Sequence, residues 1–421
     1  MAYRFLHTAD IHLDSPLKSL ALRDPELSNV IGLATRRAFV RLVDLCLEER
    51  VDALVIAGDL YDGDQTSMKT ARFLAEQLQR LDQAGIRIFI IRGNHDALSR
   101  ITAELVMPDS VKVFGGTAET VTIDRGAGHF PVVMHGLSFA KPHAPQSLLR
   151  HYALPLPDAV NIGIMHTSLG GSEKHDLYAP CSIADLQQSG FRYWALGHIH
   201  KRLIVEDAAS VIVMPGIPQG RDINEDGPKS VSLVTIQDDR SIVVEERFTG
   251  VAQFERVLVD VSSACDWKDL VTQVSGRLEQ VRALVAADHL VARIQLHGSS
   301  ELSWRIRRDL DLLRTEMETR GSLIGNVWID KVQTSCVEPS LIGHGAGALA
   351  ELASLVDTDV LTSKDYQQEL VAIAEELRGQ LPAELRDFFG GDEASLHDAV
   401  GGFARDGLAE VVARLRGGQG E

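Results

Sequence analysis

Seven short apolar runs of strand length recur along the first half of the chain, and five of them lead directly into Asp, His or Asn side chains. The runs lie at residues 3–6, 53–57, 86–91, 132–134, 161–165, 193–196 and 211–214. Nearly continuous apolar runs of this length predict strands that are buried on both faces. Open α/β sheets bind ligands at the carboxyl ends of their strands, so the polar residues predict one shared site there.

Stretches with helical periodicity separate the early runs. Residues 33–49 and 67–83 repeat apolar side chains at this period, and Gly85 ends the second stretch. Strands that alternate with helices predict an α/β fold. Beyond about residue 190 the runs follow one another without helices. We therefore predict a mixed sheet or two-sheet sandwich with helices on its outer faces.

The pattern changes after Gly250. It predicts a β-α-β-α-β module with strands at 254–261, 289–297 and 326–332 and helices at 267–285 and 302–318. From residue 341 the chain is helical and acidic, with helix breaks expected at 343–347, 382, 390–391 and 401–402. We predict three regions, at residues 1–250, 251–338 and 339–421.

The polar clusters contain side chains that bind divalent metal ions. They comprise Asp10, His12, Asp59, Asn94, His95, Asp96, His166, His198 and His200. Carboxylate, amide and imidazole groups without a cysteine suit hard to borderline divalent metals, and their number favours two ions. A glycine precedes Asp59, Asn94 and His198, and we expect each glycine to let the backbone turn sharply. Each short motif is common alone, but the ordered set of five indicates a metal site.

This ordered set resembles the signature of the calcineurin-like metallophosphoesterases. Within that family the chain is most similar to the SbcD-type DNA repair nucleases, especially the YhaO-like branch that reads His-Thr-Ala-Asp-Ile-His-Leu-Asp-Ser-Pro, here residues 7–16. The motifs cover residues 7–200, and the module at 254–334 resembles the capping domain of these nucleases. The resemblance implies a metallophosphoesterase sandwich with a capping domain, followed by a C-terminal helical region.

The resemblance also implies which residues hold two metal ions. One ion is expected on Asp10, His12, Asp59 and His200, and the other on Asp59, Asn94, His166 and His198, so that Asp59 bridges them. Two such ions lower the pKa of a shared water and supply a hydroxide that attacks phosphorus. Mn²⁺ is the metal that the family implies, with Mg²⁺, Fe²⁺ and Zn²⁺ as alternatives.

The resemblance assigns catalysis to His95 and Asp96. The imidazole of His95 would stabilise the transition state or protonate the leaving oxygen, and Asp96 would orient its ring. The alternative is that His95 only hydrogen-bonds to a metal ligand. Some relatives carry a further histidine shortly after the Gly-Asp motif, where this chain has Asp62. The contribution of that histidine is either missing here or supplied by Asp62.

The first functional hypothesis is a two-metal DNA exonuclease of 3'-to-5' polarity that acts on double-stranded ends, with an SbcC-like coiled-coil ATPase as its partner. The chain itself has no Gly-x-x-x-x-Gly-Lys-Ser/Thr loop, so it is not a P-loop ATPase. Apolar residues at helical spacing near the C-terminus serve either to dock that partner or to pack together; they are Leu349, Leu352, Leu355, Leu408, Val411, Val412 and Leu415. A homodimer through the helices of the first region is a further expectation from the resemblance.

Two alternatives stay open at this stage. The same site would also suit nucleotides or other small phosphodiesters, because this fold supports many substrates. The third hypothesis is an adaptor in which the metal site is structural. The complete set of ligands argues against an adaptor.

Charge and composition limit the setting in which the chain acts. The net charge of −17 argues against coating nucleic acid by bulk electrostatics. Residues from 339 onward hold 6 basic and 15 acidic side chains, or −9 of this charge, so a DNA contact would rest on local basic residues, bound metal or a basic partner.

The sequence has no apolar run near the roughly 20 residues that span a bilayer and no secretory signal. We expect a cytoplasmic protein, whose four scattered cysteines form neither a disulfide framework nor a zinc site.

Polar residues outside the motifs are expected to have roles other than binding metal. Four histidines are expected in the core or on the surface, namely His135, His143, His151 and His175. Four arginines alternate with acids, as is typical of a solvated face with salt bridges; they are Arg305, Arg307, Arg308 and Arg314. Lys201 and Arg202 follow the last motif directly and are better candidates for phosphate contact.

Overall fold

The computed structural model describes residues 2–15, 25–62, 67–97, 106–126, 128–170, 178–338, 348–381 and 393–417. The chain forms two compact units, one of Met1–Glu255 with Leu284–Val291 and one of Arg256–Ala283 with Ala292–Glu421. The predicted α/β fold is confirmed. The division into three regions stays a prediction.

The first unit contains two six-stranded mixed sheets. Its strands are β1 Tyr3–Thr8, β2 Ala53–Ala57, β3 Arg87–Ile91, β4 Val111–Val113, β5 Glu119–Ile123, β6 Val132–Gly136, β7 Val160–His166, β8 Tyr193–Gly197, β9 Leu203–Glu206, β10 Val211–Met214, β11 Ser230–Ile236 and β12 Ile242–Phe248. One sheet has the order β12-β11-β1-β2-β3-β4 and the other has the order β5-β6-β7-β8-β10-β9. Strands β1 to β4 are parallel, as are β6, β7, β8 and β10, and the other strands pair antiparallel.

The side chains of the central strands alternate between two apolar layers. Phe5, Val55 and Tyr193 belong to the layer formed by inner-face residues of both sheets. Leu54 and Ile88 point the other way and pack beneath helices of the first sheet. The helices of this unit are α1 Pro25–Gly32, α2 Ala34–Glu48, α3 Met68–Gln83 and α4 Ile183–Gln188. This is the predicted two-sheet sandwich with helices outside, and all seven predicted strands are present.

The elements from residue 252 to 334 follow the predicted β-α-β-α-β order. They are β13 Ala252–Asp260, α5 Trp267–Leu284, β14 His289–His297, α6 Ser303–Arg308, α7 Leu310–Ile324 and β15 Val327–Thr334. The sheet has the order β13-β14-β15. The single helix predicted at 302–318 is in fact two helices, because the backbone of Asp309 leaves the helical region at φ −107 and ψ 29. Its carboxylate accepts a hydrogen bond from the guanidinium of Arg308 at 2.8 Å, a local contact that suits Asp at a helix end.

The C-terminal part is helical, as predicted. It contains α8 Ala348–Leu355, a π-helical turn at Val356–Val360, α9 Lys364–Gln380 and α10 Glu393–Gly417. The expected break at 401–402 is wrong, because α10 continues through both glycines and buries Leu396 and Val400 against α9. The other expected breaks, at 343–347, 382 and 390–391, lie outside the described residues. In the described parts of the chain, no helix is long and apolar enough to cross a membrane.

Candidate metal centre

The predicted ligands follow five central strands of the first unit. Asp10 and His12 follow β1, Asp59 follows β2, and Asn94 follows β3. His166 ends β7, and His198 and His200 follow β8. The loops after β1 and β2 run side by side, since the amide of Asp10 donates to the carbonyl of Gly58 and the amide of His12 to that of Asp59, both at 3.0 Å.

The backbone is strained at four of these residues. Asp10, His12, Asp59 and His198 have φ values of 52, 45, 51 and 106°. Such conformations cost of order 1–3 kcal/mol each for residues other than glycine, and the surrounding structure has to enforce them. The side chains of these four residues converge beyond the strand ends.

The first group of converging ligand atoms belongs to Asp10, His12 and His200, whose atoms lie within 4.8 Å of one another. The Nε2 atoms of His12 and His200 face each other at 3.3 Å. His200 Nδ1 lies 2.7 Å from a carboxylate oxygen of Glu225. Because a carboxylate only accepts, His200 donates from Nδ1 and presents a lone pair at Nε2. This arrangement suits a bound cation.

The second group contains Asp59, His166 and His198, again within 4.8 Å. His166 donates from Nδ1 to the carbonyl oxygen of Ala57 at 3.0 Å. Its Nε2 then faces Asn94 Oδ1 at 2.9 Å and Asp59 Oδ2 at 3.3 Å. Three acceptor atoms that meet in a buried site require a proton or a metal ion between them. The residues present therefore fit a divalent ion.

The charges of the second group support this interpretation. Burial opposes a charge on His166, but Asp59 and Asp10 outweigh it and raise the pKa of the imidazole to about 9. Burial likewise opposes the charge on Asp59, yet His166 keeps the pKa of that carboxyl below its usual value. Burial and the neighbouring His166 lower the pKa of His198 to about 3, so its imidazole is neutral and able to bind a metal. In the metal-free chain, the proton on His166 occupies the position at which a metal ion would bind.

His95 and Asp96 do not contact each other in the way the sequence suggests. The imidazole of His95 is 44% exposed, and its Nδ1 lies 2.9 Å from Asp62 Oδ1. The buried carboxylate of Asp96 instead accepts the amides of Leu60 at 2.9 Å and Gly93 at 2.6 Å. The prediction that Asp96 orients the ring of His95 is therefore wrong. Asp96 fixes the loops after β2 and β3, and burial raises its pKa to about 7.

Asp62 is the carboxylate that orients His95. It also lies 3.4 Å from His12 Nδ1 and accepts a hydrogen bond from the hydroxyl of Ser15 at 2.6 Å. The neighbouring imidazoles of His12 and His95 hold the pKa of Asp62 well below its usual range. Asp62 therefore connects His95 to His12, a metal-ligand candidate.

Sequence reasoning missed Arg221 and Glu225, which lie between β10 and β11. Glu225 accepts from His200, as described above, and from the guanidinium of Arg221 at 2.8 Å. The available signal was a pair of opposite charges four residues apart in a Gly- and Pro-rich stretch close to the site in sequence. A spacing of this kind is too common to be specific.

Three glycines enclose the ring of His166. A methyl group added at Gly58, Gly93 or Gly197 would clash with its imidazole, and at Gly93 also with Asp59. Gly58 has a φ of 96°, which meets the expectation of a sharp turn. Gly93 and Gly197 do not have a positive φ, although the backbone bends at the residue after each of them, so what these two glycines supply is space.

The remaining candidates lie outside this constellation. His135 is a buried core residue bonded to Asn161 at 2.9 Å, His143 and His151 are exposed, and His175 lies outside the described residues. Lys201 is exposed, whereas Arg202 turns away to the hydroxyl of Ser232 at 2.7 Å.

The arginine-rich face of the second unit is salt-bridged, as predicted. Arg308 pairs with Asp309 and Arg314 with Glu318, both at 2.8 Å.

Comparison with known proteins places these features in a family. Residues 3–202 match the calcineurin-like phosphoesterase family, and residues 254–337 match the middle domain of metallophosphoesterase YhaO. The uncharacterized metallophosphoesterase YhaO of Bacillus subtilis is 31% identical over 296 residues, which are 70% of this chain and 72% of that protein. The DNA double-strand break repair protein Mre11 of Aeropyrum pernix is 27% identical over 298 residues, 68% of this chain and 69% of that protein. The protein of the same name from Methanopyrus kandleri is 26% identical over 318 residues, 68% and 63% of the two chains.

Proposed function

The chain belongs to the calcineurin-like metallophosphoesterases, and from this premise we propose that it is a two-metal phosphodiesterase that degrades DNA from double-stranded ends. The observation that carries the proposal is the convergence of acceptor atoms in two adjacent groups, one at Asp10 and one at Asp59. Phosphoesterases of this family use divalent metals, and a pair of neighbouring ions suits the hydrolysis of a phosphodiester.

The proposed allotment follows the two groups. Asp10, His12 and His200 would hold one ion and Asn94, His166 and His198 the other, with Asp59 shared. When bound, the ions would activate a water molecule as a nucleophile and neutralise charge on the phosphate oxygens. Mn²⁺ is the proposed metal.

His95 is the proposed proton donor to the leaving oxygen. Asp62 accepts a hydrogen bond from its Nδ1, so Nε2 is the atom left to donate, and it carries a proton when the imidazole is in its charged form. The hydrogen bond that His95 donates to Asp62 also raises the pKa of His95, which keeps the imidazole protonated to higher pH. Asp96 acts through the loops that position Asp59 and Asn94 rather than on the reacting atoms.

The choice of DNA rests on similarity to relatives named as DNA double-strand break repair proteins. We propose 3'-to-5' exonuclease activity in the cytoplasm and an SbcC-like coiled-coil ATPase as the partner. A candidate surface for this partner is an apolar groove between α9 and α10, where Ile373, Phe403 and Val411 are about half exposed. The excess of acid in this region makes a basic partner helix the better fit.

The deciding experiment measures the release of labelled nucleotides from linear duplex DNA by the Mn²⁺-loaded full chain. Separate 3' and 5' labels report the polarity. We expect His95→Ala to reduce the rate by about 10²- to 10⁴-fold without loss of bound metal. His151→Ala, an exposed histidine outside the site, is the matched control and should leave the rate unchanged.

A small chromogenic phosphodiester separates the alternatives. Its hydrolysis without any cleavage of DNA would favour nucleotides or other small phosphodiesters, a reading that the net charge of −17 supports. DNA binding without cleavage of either substrate by a metal-loaded sample would favour the adaptor. Loss of metal in His95→Ala would contradict its assignment as a proton donor.

A further inference from the structure

Arg221 and Glu225 form a charged pair beside the first group of ligands, outside every motif described above. The Nε and Nη2 atoms of Arg221 lie 2.8–3.3 Å from the carboxylate of Glu225. The backbone amide of Arg221 donates to Oε2 of Glu225 at 2.7 Å. The side chains of Arg221 and Glu225 are 20% and 11% exposed, so both charges are largely shielded from water.

Glu225 also connects this pair to His200. The same oxygen, Oε1, accepts from His200 Nδ1 at 2.7 Å and from Arg221 Nη2 at 2.8 Å. One carboxylate therefore fixes both the tautomer of a metal-ligand candidate and the position of a guanidinium. The pair and the metal site form one hydrogen-bonded network.

The other edge of the guanidinium faces the catalytic side of the cleft. Arg221 Nη1 lies 4.0 Å from Asp62 Oδ2, and Asp62 in turn contacts His95. Within the described part of the chain, Nη1 donates no hydrogen bond of normal length, whereas Nε and Nη2 are engaged by Glu225. A guanidinium with one occupied edge and one available donor has the form of an anion-binding group.

We propose that Arg221 binds a non-bridging oxygen of the substrate phosphate through Nη1, and that Glu225 is the positioning residue for Arg221 and His200. The inference rests on the proposed phosphodiesterase function and adds a phosphate-binding cation that the ligand motifs do not contain. Arginine suits this role because one edge of its planar guanidinium can hydrogen-bond to a carboxylate while the remaining donor binds a phosphate oxygen.

The first test uses the Mn²⁺-loaded full chain, with inorganic phosphate as the probe and calorimetry as the measurement. We expect Arg221→Ala to bind phosphate about 10- to 100-fold more weakly, the usual contribution of a charge-assisted hydrogen bond, and to retain the metal content of the unchanged chain. Arg221→Lys should recover part of the affinity because it keeps the charge. Arg80→Ala, which removes a guanidinium paired with Asp44 at 2.6 Å on the helical layer, is the matched control.

The second test separates positioning from a merely structural role. Glu225→Ala should lower the affinity for Mn²⁺ about 10- to 100-fold, and Glu225→Gln, which keeps an acceptor for His200, should restore most of it. Unchanged phosphate binding in Arg221→Ala, or loss of metal from that variant, would overturn the role of Arg221. Unchanged Mn²⁺ affinity in Glu225→Ala would overturn the role of Glu225. Failure of the unchanged chain to bind Mn²⁺ at all would instead overturn the proposed function.

Discussion

Asp62 and Asp96 illustrate why a neighbour in sequence is a poor guide to a neighbour in space. Asp96 follows His95 directly, yet its carboxylate turns into the core and accepts two backbone amides. Asp62 comes from a different loop, and it is this carboxylate that holds the imidazole. Which carboxylate fixes the loops and which one holds His95 follows from where each loop directs its side chain.

We expect Asp62→Asn to reduce the rate of phosphodiester hydrolysis about 10- to 100-fold. The hydrogen bond that His95 donates to Asp62 raises the pKa of His95, so its loss lowers that pKa. If the protonated imidazole is the active form, the alkaline limb of the pH–rate profile moves to lower pH. The measurement is the pH profile of kcat with a chromogenic phosphodiester. An unshifted alkaline limb would show that His95 does not act as the acid.

Most of the candidate metal site could be identified at the residue scale because its members are short, ordered motifs at the ends of strands. The sequence identified the residues that the structure brings together in the groups around Asp10 and Asp59. It did not identify Glu225 or Arg221, because no characteristic spacing links them to the residues that they support. Residues that support a ligand lie close to it in the folded chain, and separation along the sequence does not reveal this closeness.

At the scale of elements, apolar continuity found most of the central strands and missed the edges, together with the interior strand β11, in which Ser and Thr residues interrupt the apolar run. The strands β1, β2, β3, β7 and β8 are almost fully buried and each contains a short, largely apolar run. Edge strands such as β5 and β9 mix exposed and buried positions and give no such signal. Helix ends were less predictable, because the split at Asp309 depends on one backbone conformation.

Two helical glycines in the second unit should respond in opposite ways to the same substitution. A methyl group at Gly402 in α10 meets nothing within 4 Å, so Gly402→Ala should raise the free energy of unfolding by about 0.5–1 kcal/mol. A methyl group at Gly321 in α7 would lie 2.7 Å from the carbonyl oxygen of Val327. Gly321→Ala should therefore lower the free energy of unfolding by about 1–3 kcal/mol. Denaturant unfolding of the full chain measures both. Destabilisation by Gly402→Ala would mean that the residue is not in a regular helix.

At the scale of the whole molecule, metal binding is coupled to pH through His166. In the metal-free chain its pKa is raised to about 9, so the stability that its proton contributes is complete below the ordinary pKa of about 6.5 and is lost as the pH rises through 9. A metal ion has to displace that proton. The affinity for Mn²⁺ should therefore increase with pH between 7 and 9, by up to about tenfold per unit for one proton.

Calorimetric titration with Mn²⁺ in two buffers of different ionisation enthalpy measures this proton release directly. The two buffers should give different apparent enthalpies at pH 7.5, and the difference should shrink above pH 9. Equal enthalpies in both buffers at pH 7.5 would contradict a protonated His166 in the metal-free chain.

The glycines around His166 have a consequence for how long each ion stays in place. Because Gly58, Gly93 and Gly197 leave no free space beside this imidazole, the ring has no room to rotate away from its ion. His200, in the other group, is 30% exposed and meets the solvent. The two ions should then differ in residence time, and a chelator should remove bound Mn²⁺ in a fast and a slow phase. A purified sample would carry one ion acquired in the cell and one that reflects the buffer.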